Sequence, residues 1–268
     1  MGVMRSARSG HAPTALVTGA SSGIGYELAR LCARDGYDVV LVARGRETLA
    51  ALAEELTGRC GVRATVLAMD LAEPAVPGLL AAALAQAGLQ VDLLMNNAGV
   101  GRHGPFAESD LTTELRMIQV NISALTALTK LLLPGMLARR AGRVLNVAST
   151  AAFAPGPFMA VYYATKAYVL SFSEALAEEL RGTGVTVTAL CPGPTWTAFQ
   201  ARAGIEQSRL IRTRVGIMDA ATVARAGYRG CLRGQRLVIP GWANTLVARG
   251  TPILPRSWVA RVVRALNE

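Results

Sequence analysis

Histidine is nearly absent, lysine occurs only as Lys130 and Lys166, and aromatic residues make up 5% of the 268 positions. Each scarcity removes a class of function. The four cysteines, Cys32, Cys60, Cys191 and Cys231, lie far apart and follow neither a metal-ligand nor a redox spacing. No bound metal is expected, and the thiols are expected to be free in a reducing compartment. No uninterrupted apolar run approaches the length of a membrane span. The first dozen residues hold Arg5, Arg8 and His11 without an apolar core, so they do not read as a signal peptide, and a cytoplasmic protein is expected. Acidic residues are also few, 18 against 28 Lys and Arg, for a formal charge of +10. That balance raises nucleic acid as a partner. The arginines are scattered, however. Arg139–Arg140 with Arg143 is the nearest approach to a basic run and no aromatic residues interleave it, so a nucleic-acid partner is not expected.

What the chain does have is apolar content, 51% of residues, together with 27 glycines. Disordered chains lack that much apolar surface. Short apolar runs predict strands at Ala15–Thr18, Val39–Val42, Ala64–Ala68, Leu93–Asn96, Val144–Val147, Val185–Leu190 and, at an edge, Leu237–Ile239. Runs such as Val39–Val42, apolar at every position, suit strands covered on both faces. Between them fall a helix with Ile24, Leu28 and Leu31 on one face, helices at Arg46–Leu56 and Leu79–Gln86, a long helical stretch from Asp110 to Arg139, and a helix from about Ala160 to Leu180. The alternation reads as βαβ units in an α/β fold, a Rossmann-type doubly wound parallel sheet of about seven strands with helices on both faces.

The expected organisation is a flexible tail over residues 1–13, one domain over 14–240 and a C-terminal helical extension over 241–268. Within the domain, Thr195–Arg214 lacks strong periodicity and reads as a short helical excursion over the site. The extension carries Val259, Val262, Val263 and Leu266 beside Arg261 and Arg264, a basic amphipathic helix. Such a helix either touches a membrane or packs on the domain or a partner subunit, and packing is the preferred reading.

After the first predicted strand comes Thr18-Gly19-Ala20-Ser21-Ser22-Gly23-Ile24-Gly25. Glycines at a strand-to-helix turn let backbone approach a pyrophosphate, and the helix N-terminus meets its charge. Three residues separate Gly19 from Gly23, one more than in the usual dinucleotide fingerprint. At the end of the second strand, an acid would bind a ribose hydroxyl and repel a 2′-phosphate. Arg44 stands there instead, and a guanidinium pairs with phosphate and stacks on a base. NADP(H) is therefore preferred over NAD(H). A solvent-exposed helix-entry residue is the alternative for Arg44, and it leaves the preference open. Asp70, with Leu71 after it, is placed to bond an adenine amino group or to cap the next helix.

Downstream, Tyr162 and Lys166 stand four apart in a predicted helix and share one face, with Ser149 thirteen residues before Tyr162. A free phenol titrates too high to serve as a base near neutrality. A neighbouring ammonium favours phenolate, so Tyr162 can exchange a proton with a substrate oxygen. Ser149 adds a second hydrogen bond to that oxygen. Tyr163 is the rival, ranked second because it lies three residues from Lys166.

The chain resembles a short-chain dehydrogenase/reductase of the compact branch from Thr14 to about Pro240. The resemblance rests on Thr18 to Gly25, Asn96-Asn97-Ala98-Gly99, Asn121, Ser149, Tyr162 to Lys166 and Pro192-Gly193. It implies that Asn96 to Gly99 stabilise the sheet and border the adenosine ribose. It implies that Asn121 holds a water linking Lys166 to solvent, and that Lys166 also holds the nicotinamide ribose. Pro192, Gly193, Thr195 and Thr197 are implied to border the carboxamide. Asn121, Ser149, Tyr162 and Lys166 are thus the catalytic candidates. Gly19, Ser21, Ser22, Gly23, Ile24, Gly25, Arg44, Asp70, Leu71, Asn97, Ala98 and Gly99 are the further cofactor candidates.

Ala151, Phe153, Phe158, Pro194, Trp196 and Phe199 are expected to line an apolar pocket, with His103 nearby as a loop residue. The expected substrate is a small hydrophobic ketone, aldehyde or secondary alcohol. The rival is a catalytically idle NADPH-binding sensor, against which the intact Asn121, Ser149, Tyr162 and Lys166 set argues. Relatives of this kind imply a homodimer or homotetramer built on the helices Asp110–Arg139 and Ala160–Leu180, a monomer remaining open.

Overall fold

The computed structural model describes residues 12–205 and 217–268. Residues 1–11 of the expected tail and 206–214 of the expected excursion lie outside the described residues. Strands β1 (Thr14–Thr18), β2 (Asp38–Ala43), β3 (Ala64–Ala68), β4 (Val91–Asn96), β5 (Gly142–Val147) and β6 (Val185–Leu190) form wherever a short apolar run was read. Two-residue strands β7 (Thr195–Trp196) and β8 (Met218–Asp219) pair with each other, and β9 (Leu237–Val238) pairs with β6. The main sheet runs β3-β2-β1-β4-β5-β6-β9, all parallel, so the expected doubly wound fold is what the chain adopts. Strand order reverses between β1 and β4, and at such a switch point the crevice beyond the carboxyl ends receives a ligand.

The helices are α1 (Gly23–Arg34), α2 (Arg46–Cys60), α3 (Val76–Gln86), α4 (Leu111–Ile118), α5 (Leu125–Ala138), α6 (Ala160–Glu179), α7 (Phe199–Ala203), α8 (Ala220–Leu232), α9 (Trp242–Gly250) and α10 (Arg256–Asn267). Alternation along the strands sorts them into two layers. Ala15, Val17, Val39 and Leu41 face Leu28, Leu52, Val223 and Tyr228 of α1, α2 and α8. Leu16, Val40 and Leu94 face Leu80, Leu128 and Leu180, beneath α3, α5 and the end of α6. Burying both faces explains why β2 is apolar from Val39 to Ala43 and β4 from Leu93 to Met95, while β6 alternates valine with Thr186 and Thr188.

Helix α8 is absent from the sequence expectation. Its buried side is built from Val223, Ala224, Gly227, Tyr228, Gly230 and Cys231, an amphipathic face at helical spacing made inconspicuous by its small residues. The topology nevertheless demands it, because parallel β6 and β9 need a crossover. Asp219 starts it, accepting the Thr222 N–H at 2.7 Å. Two further differences concern the ends of the chain's predicted elements. The C-terminal extension is two helices rather than one, and the stretch after β6 begins as strand β7 before turning into α7.

The stretch Leu111–Ala138 is one continuous helical run of 28 residues, long and apolar enough to cross a membrane by length and composition alone. It carries Glu114, Asn121 and Lys130, and α5 buries Leu125, Leu128 and Met136 in this fold. A π turn, Gln119–Ala124, interrupts it and contains buried Asn121. Such turns concentrate at functional sites.

Candidate active site

Every loop at the carboxyl edge from β1 to β6 contributes to one cavity of about 1180 Å3. At its β1 end, Gly19 (φ +67°) and Gly23 (φ +58°) hold left-handed conformations that favour glycine. A Cβ on Gly19 would meet Asn97 Nδ2 at 2.8 Å, and one on Gly23 would meet Thr197 Cγ2 at 2.8 Å. Asn97 fastens the turn: its N–H donates to Thr18 Oγ1 at 3.0 Å and its side-chain amide to the carbonyls of Thr18 and Gly19 at 2.9 and 3.2 Å. Ser22 is the N-cap of α1 in extended backbone, its side chain makes no cap bond, and no acid stands in the first turn. The positive end of α1 therefore faces the cavity, and the cradle fits a diphosphate.

Gly25 does not reach the cavity. It lies buried in α1, where an added Cβ would fall on the Gly19 carbonyl oxygen and the Asn97 amide. Gly25→Ala is expected to cost about 1–3 kcal/mol by overpacking and to abolish dinucleotide binding, read by thermal melting and titration. Gly58→Ala is the contrasting case, since its methyl meets nothing within 4 Å in the last turn of α2. It is expected to add about 0.5–1 kcal/mol of stability.

Toward the far end, exposed Arg44 lines the cavity just after β2, with Gly45 and Thr48. Asp70 after β3 accepts the Ala72 N–H at 3.0 Å and Arg116 of α4 at 2.9 Å. Its carboxylate thus holds its own loop rather than capping α3, and it brings Arg116 to the cavity wall, where no arginine was expected. Leu71 and Ala98 also line this part.

Tyr162 and Lys166 project from one face of α6 into the centre. Lys166 is buried and donates to the Val147 carbonyl at 2.9 Å. Burial, opposed in part by Cys191, lowers its pKa to about 8. Its Nζ lies 5.8 Å from the Tyr162 ring centroid. Burial pushes the Tyr162 phenol up to about 12, with the Ser149 hydroxyl pulling it back. Ser149 sits at the end of β5, and its Oγ accepts the Ala151 N–H at 3.1 Å. Gly99 makes room for this centre, since its missing Cβ would lie 3.3 Å from Lys166 Nζ and 3.5 Å from Asn121 Oδ1. Asn121 itself stays behind the wall. Its amide accepts from the Val100 N–H at 2.9 Å and donates to Val100 O at 2.9 Å and Thr165 Oγ1 at 3.0 Å, clamping the loop after β4.

Pro192, Gly193, Thr195 and Thr197 line the cavity after β6, as do Ser21 and Ile24 opposite. Thr195 is held through its carbonyl by the Gln200 amide, and Thr197 N donates to Gln200 Oε1 at 3.0 Å. On the outer side, Ala151, Pro194 and Phe199 line the space, and the Phe199 ring leans on Tyr162 with centroids 5.4 Å apart.

The other three aromatic pocket candidates are corrected by the structure. Phe153 packs behind the loop against the cluster of Val169 and Cys191. Trp196 is half exposed on β7 and lines no part of the cavity. Phe158, held at φ +65°, turns its ring outward between His103 and the Arg264 guanidinium, which lies 5.6 Å from the ring centroid. His103 ties the C-terminus, its Nε2 lying 2.8 Å from the Asn267 carbonyl oxygen.

The short chain dehydrogenase family profile matches residues 13–208. The chain belongs to the short-chain dehydrogenase family. A putative ketoacyl reductase of Streptomyces coelicolor is 41% identical over 192 residues, 70% of this chain and 72% of that protein. The chain spans between 52% and 72% of the length of such curated relatives. Among solved structures, a Sphingobium yanoikuyae short-chain dehydrogenase in complex with NADPH is 35% identical with a TM-score of 0.81, covering 89% of this chain and 91% of its own. A bulky-bulky ketone specific alcohol dehydrogenase from Comamonas testosteroni is 31% identical with a TM-score of 0.76, covering 90% and 93%. Similar solved structures include complexes with NADPH and a complex with NAD.

As a dehydrogenase of this family, the chain has a site wall that the sequence reading missed. Val259, Val263, Leu266 and Asn267 of α10 close the cavity over Tyr163 and Met159, and Asn244 of α9 stands against Gly193. Asn267 donates to the Pro157 carbonyl at 2.8 Å. The spacing of 259, 263 and 266 on one helix face was visible, but the surface it would cover was not. Arg202 of α7, also unforeseen, donates to Ser22 Oγ at 3.1 Å across the glycine turn.

Proposed function

We propose that the chain is an NADP(H)-linked oxidoreductase that reduces an apolar ketone or aldehyde, or oxidises the corresponding secondary alcohol. One observation carries this reading: a single cavity is lined by Arg44 and the glycine turn, by Tyr162, Ser149 and Lys166, and by apolar side chains of α10. When bound, the nicotinamide supplies or takes the hydride. Gly19 to Ile24 and Asn97 to Gly99 would hold the dinucleotide. Arg44, exposed and in no ion pair among the described residues, would pair with the 2′-phosphate.

Tyr162 donates its proton to the carbonyl oxygen as that oxygen gains charge, and Ser149 donates a second hydrogen bond to it. Lys166, when charged, favours the phenolate and so works against the burial that raises the phenol. Asn121 keeps the loop after β4 against Lys166 and, by the family resemblance, would hold the water that links Lys166 to solvent. Phe199, Met159, Ile205, Val263 and Leu266 offer the substrate an apolar surface, which suits a bulky carbon skeleton rather than a sugar.

The test of the cofactor is a titration with NADPH and NADH followed by nicotinamide fluorescence. Wild type is expected to prefer NADPH, and Arg44→Ala to weaken NADPH by about 10- to 100-fold, from loss of a charge-assisted contact of about 1.5–3 kcal/mol, leaving NADH within about twofold. Equal binding of the two nucleotides by wild type removes the Arg44 argument.

A further inference from the structure

The C-terminal helices meet the cavity on one side and solvent on the other, and several of their side chains touch both. The inner face of α10 presents Val259, Val263 and Asn267 to the cavity. The outer side of the α9–α10 pair leaves Trp242, Leu246, Ile253, Leu254, Trp258 and Val262 in solvent, with Trp242 and Ile253 83% and 84% exposed. Two of the chain's three tryptophans stand on this one patch. Soluble surfaces rarely keep so many large apolar groups together without an occupant.

Charge selects the occupant. Arg249, Arg256 and Arg261 belong to the same two helices, all exposed and in no ion pair among the described residues. The segment's acid, Glu268, is engaged by Arg264 at 2.9 Å. A second copy of the chain packed symmetrically here would set three unpaired arginines against three more. An anionic phospholipid surface satisfies both halves of the patch, with arginines at headgroups, tryptophans at the interface and aliphatic side chains below it.

We propose that the outer face of α9 and α10 docks by shallow insertion on an anionic phospholipid bilayer. Val247, Leu254, Trp258 and Val262 are at once exposed and part of the cavity lining, so the patch runs unbroken into the site. Docked in this way, the cavity opens on the lipid, and an apolar carbonyl compound dissolved there reaches Tyr162 without crossing water. This last consequence rests on the function proposed above.

The experiment is flotation of the full chain with vesicles of phosphatidylcholine alone and of phosphatidylcholine with a third phosphatidylglycerol. Wild type is expected to float with the anionic vesicles and to remain below with the neutral ones. One variant carries Trp242→Ser, Leu246→Ser and Ile253→Ser; another carries Arg249→Gln, Arg256→Gln and Arg261→Gln. None of these six side chains lines the cavity, so both variants are expected to keep wild-type NADPH binding. The glutamine variant is expected to lower partitioning by about a hundredfold, the scale of three basic residues near an anionic surface, and the serine variant by at least about as much through lost apolar burial. Wild type that stays below with anionic vesicles overturns the proposal. So does light scattering in which the serine variant converts a dimer to monomers, which assigns the face to a second copy. For a vesicle-borne ketone, both variants are expected to raise KM and leave kcat unchanged. If Tyr162→Phe keeps full turnover, the functional reading fails while the flotation result stands by itself.

Discussion

Tyr162→Phe is expected to lower kcat for ketone reduction by about a thousandfold while changing NADPH affinity by less than about twofold. The aromatic position is held by its neighbours, with Phe199 leaning on one side and the Tyr163 ring edge-on at 6.1 Å between centroids. A phenylalanine therefore keeps the shape and loses only the proton. Tyr163→Phe is the control and is expected to stay within a few-fold of wild type, since Tyr163 lies beside Asn267 rather than Lys166. The pH dependence follows from the raised Tyr162 pKa. A phenol pushed up to about 12 stays protonated through neutrality, so reduction holds level there and declines only in alkali. Oxidation needs the phenolate and is expected to rise about tenfold per pH unit over the same range.

Lys166→Met is expected to move activity and stability in opposite directions. Loss of the ammonium removes the charge that draws the phenol down, and kcat is expected to fall by at least about a hundredfold. Stability rises because the wild-type fold buries a cation whose pKa is lowered to about 8 from 10.5. Below about pH 8 both folded and unfolded chains hold the proton, and the burial cost is fully present. Between about 8 and 10.5 the folded chain releases it first, so wild-type stability climbs with pH. The gain in Lys166→Met is therefore greatest below about pH 8 and disappears above about 10.5. Losing the bond to Val147 O offsets about 1 kcal/mol of it. A net gain on the order of 1–2 kcal/mol raises Tm by roughly 2–8 °C in a chain of this size. Thermal melts at neutral and strongly alkaline pH check the sign.

The reasons for what the sequence disclosed are local. Strands buried on both faces are mostly apolar, so Val39–Val42 announces itself, and Val144–Val147 does so despite Asn146, which is buried and hydrogen-bonded to Asn96 and Ser173. The turn from Gly19 to Gly25 and the four-residue step from Tyr162 to Lys166 each impose a spacing that survives in one dimension. Residues whose role depends on what lies opposite do not. Helix α8 buries Val223, Tyr228 and Cys231 at helical spacing against α1 and the sheet, but glycine and alanine fill the rest of that face and leave few large aliphatics to mark it. Phe158 and Trp196 stand close in sequence to residues that line the cavity, yet a left-handed backbone turns one outward and a short strand carries the other past the site. Helix α10 was readable as amphipathic, but not as a wall of the cavity with a second apolar face on the other side.

The central claim is hydride transfer to an apolar carbonyl, and isotope tracing tests it most directly. The enzyme would be incubated with NADPH deuterated at the transferable position of the nicotinamide and a panel of bulky ketones, and the alcohols analysed by mass spectrometry. Deuterium at the carbinol carbon, formed by wild type and lost with Tyr162→Phe, is the predicted result. Tight NADPH binding with no deuterated alcohol from any ketone would contradict the claim and identify the chain as a nucleotide-binding protein without turnover.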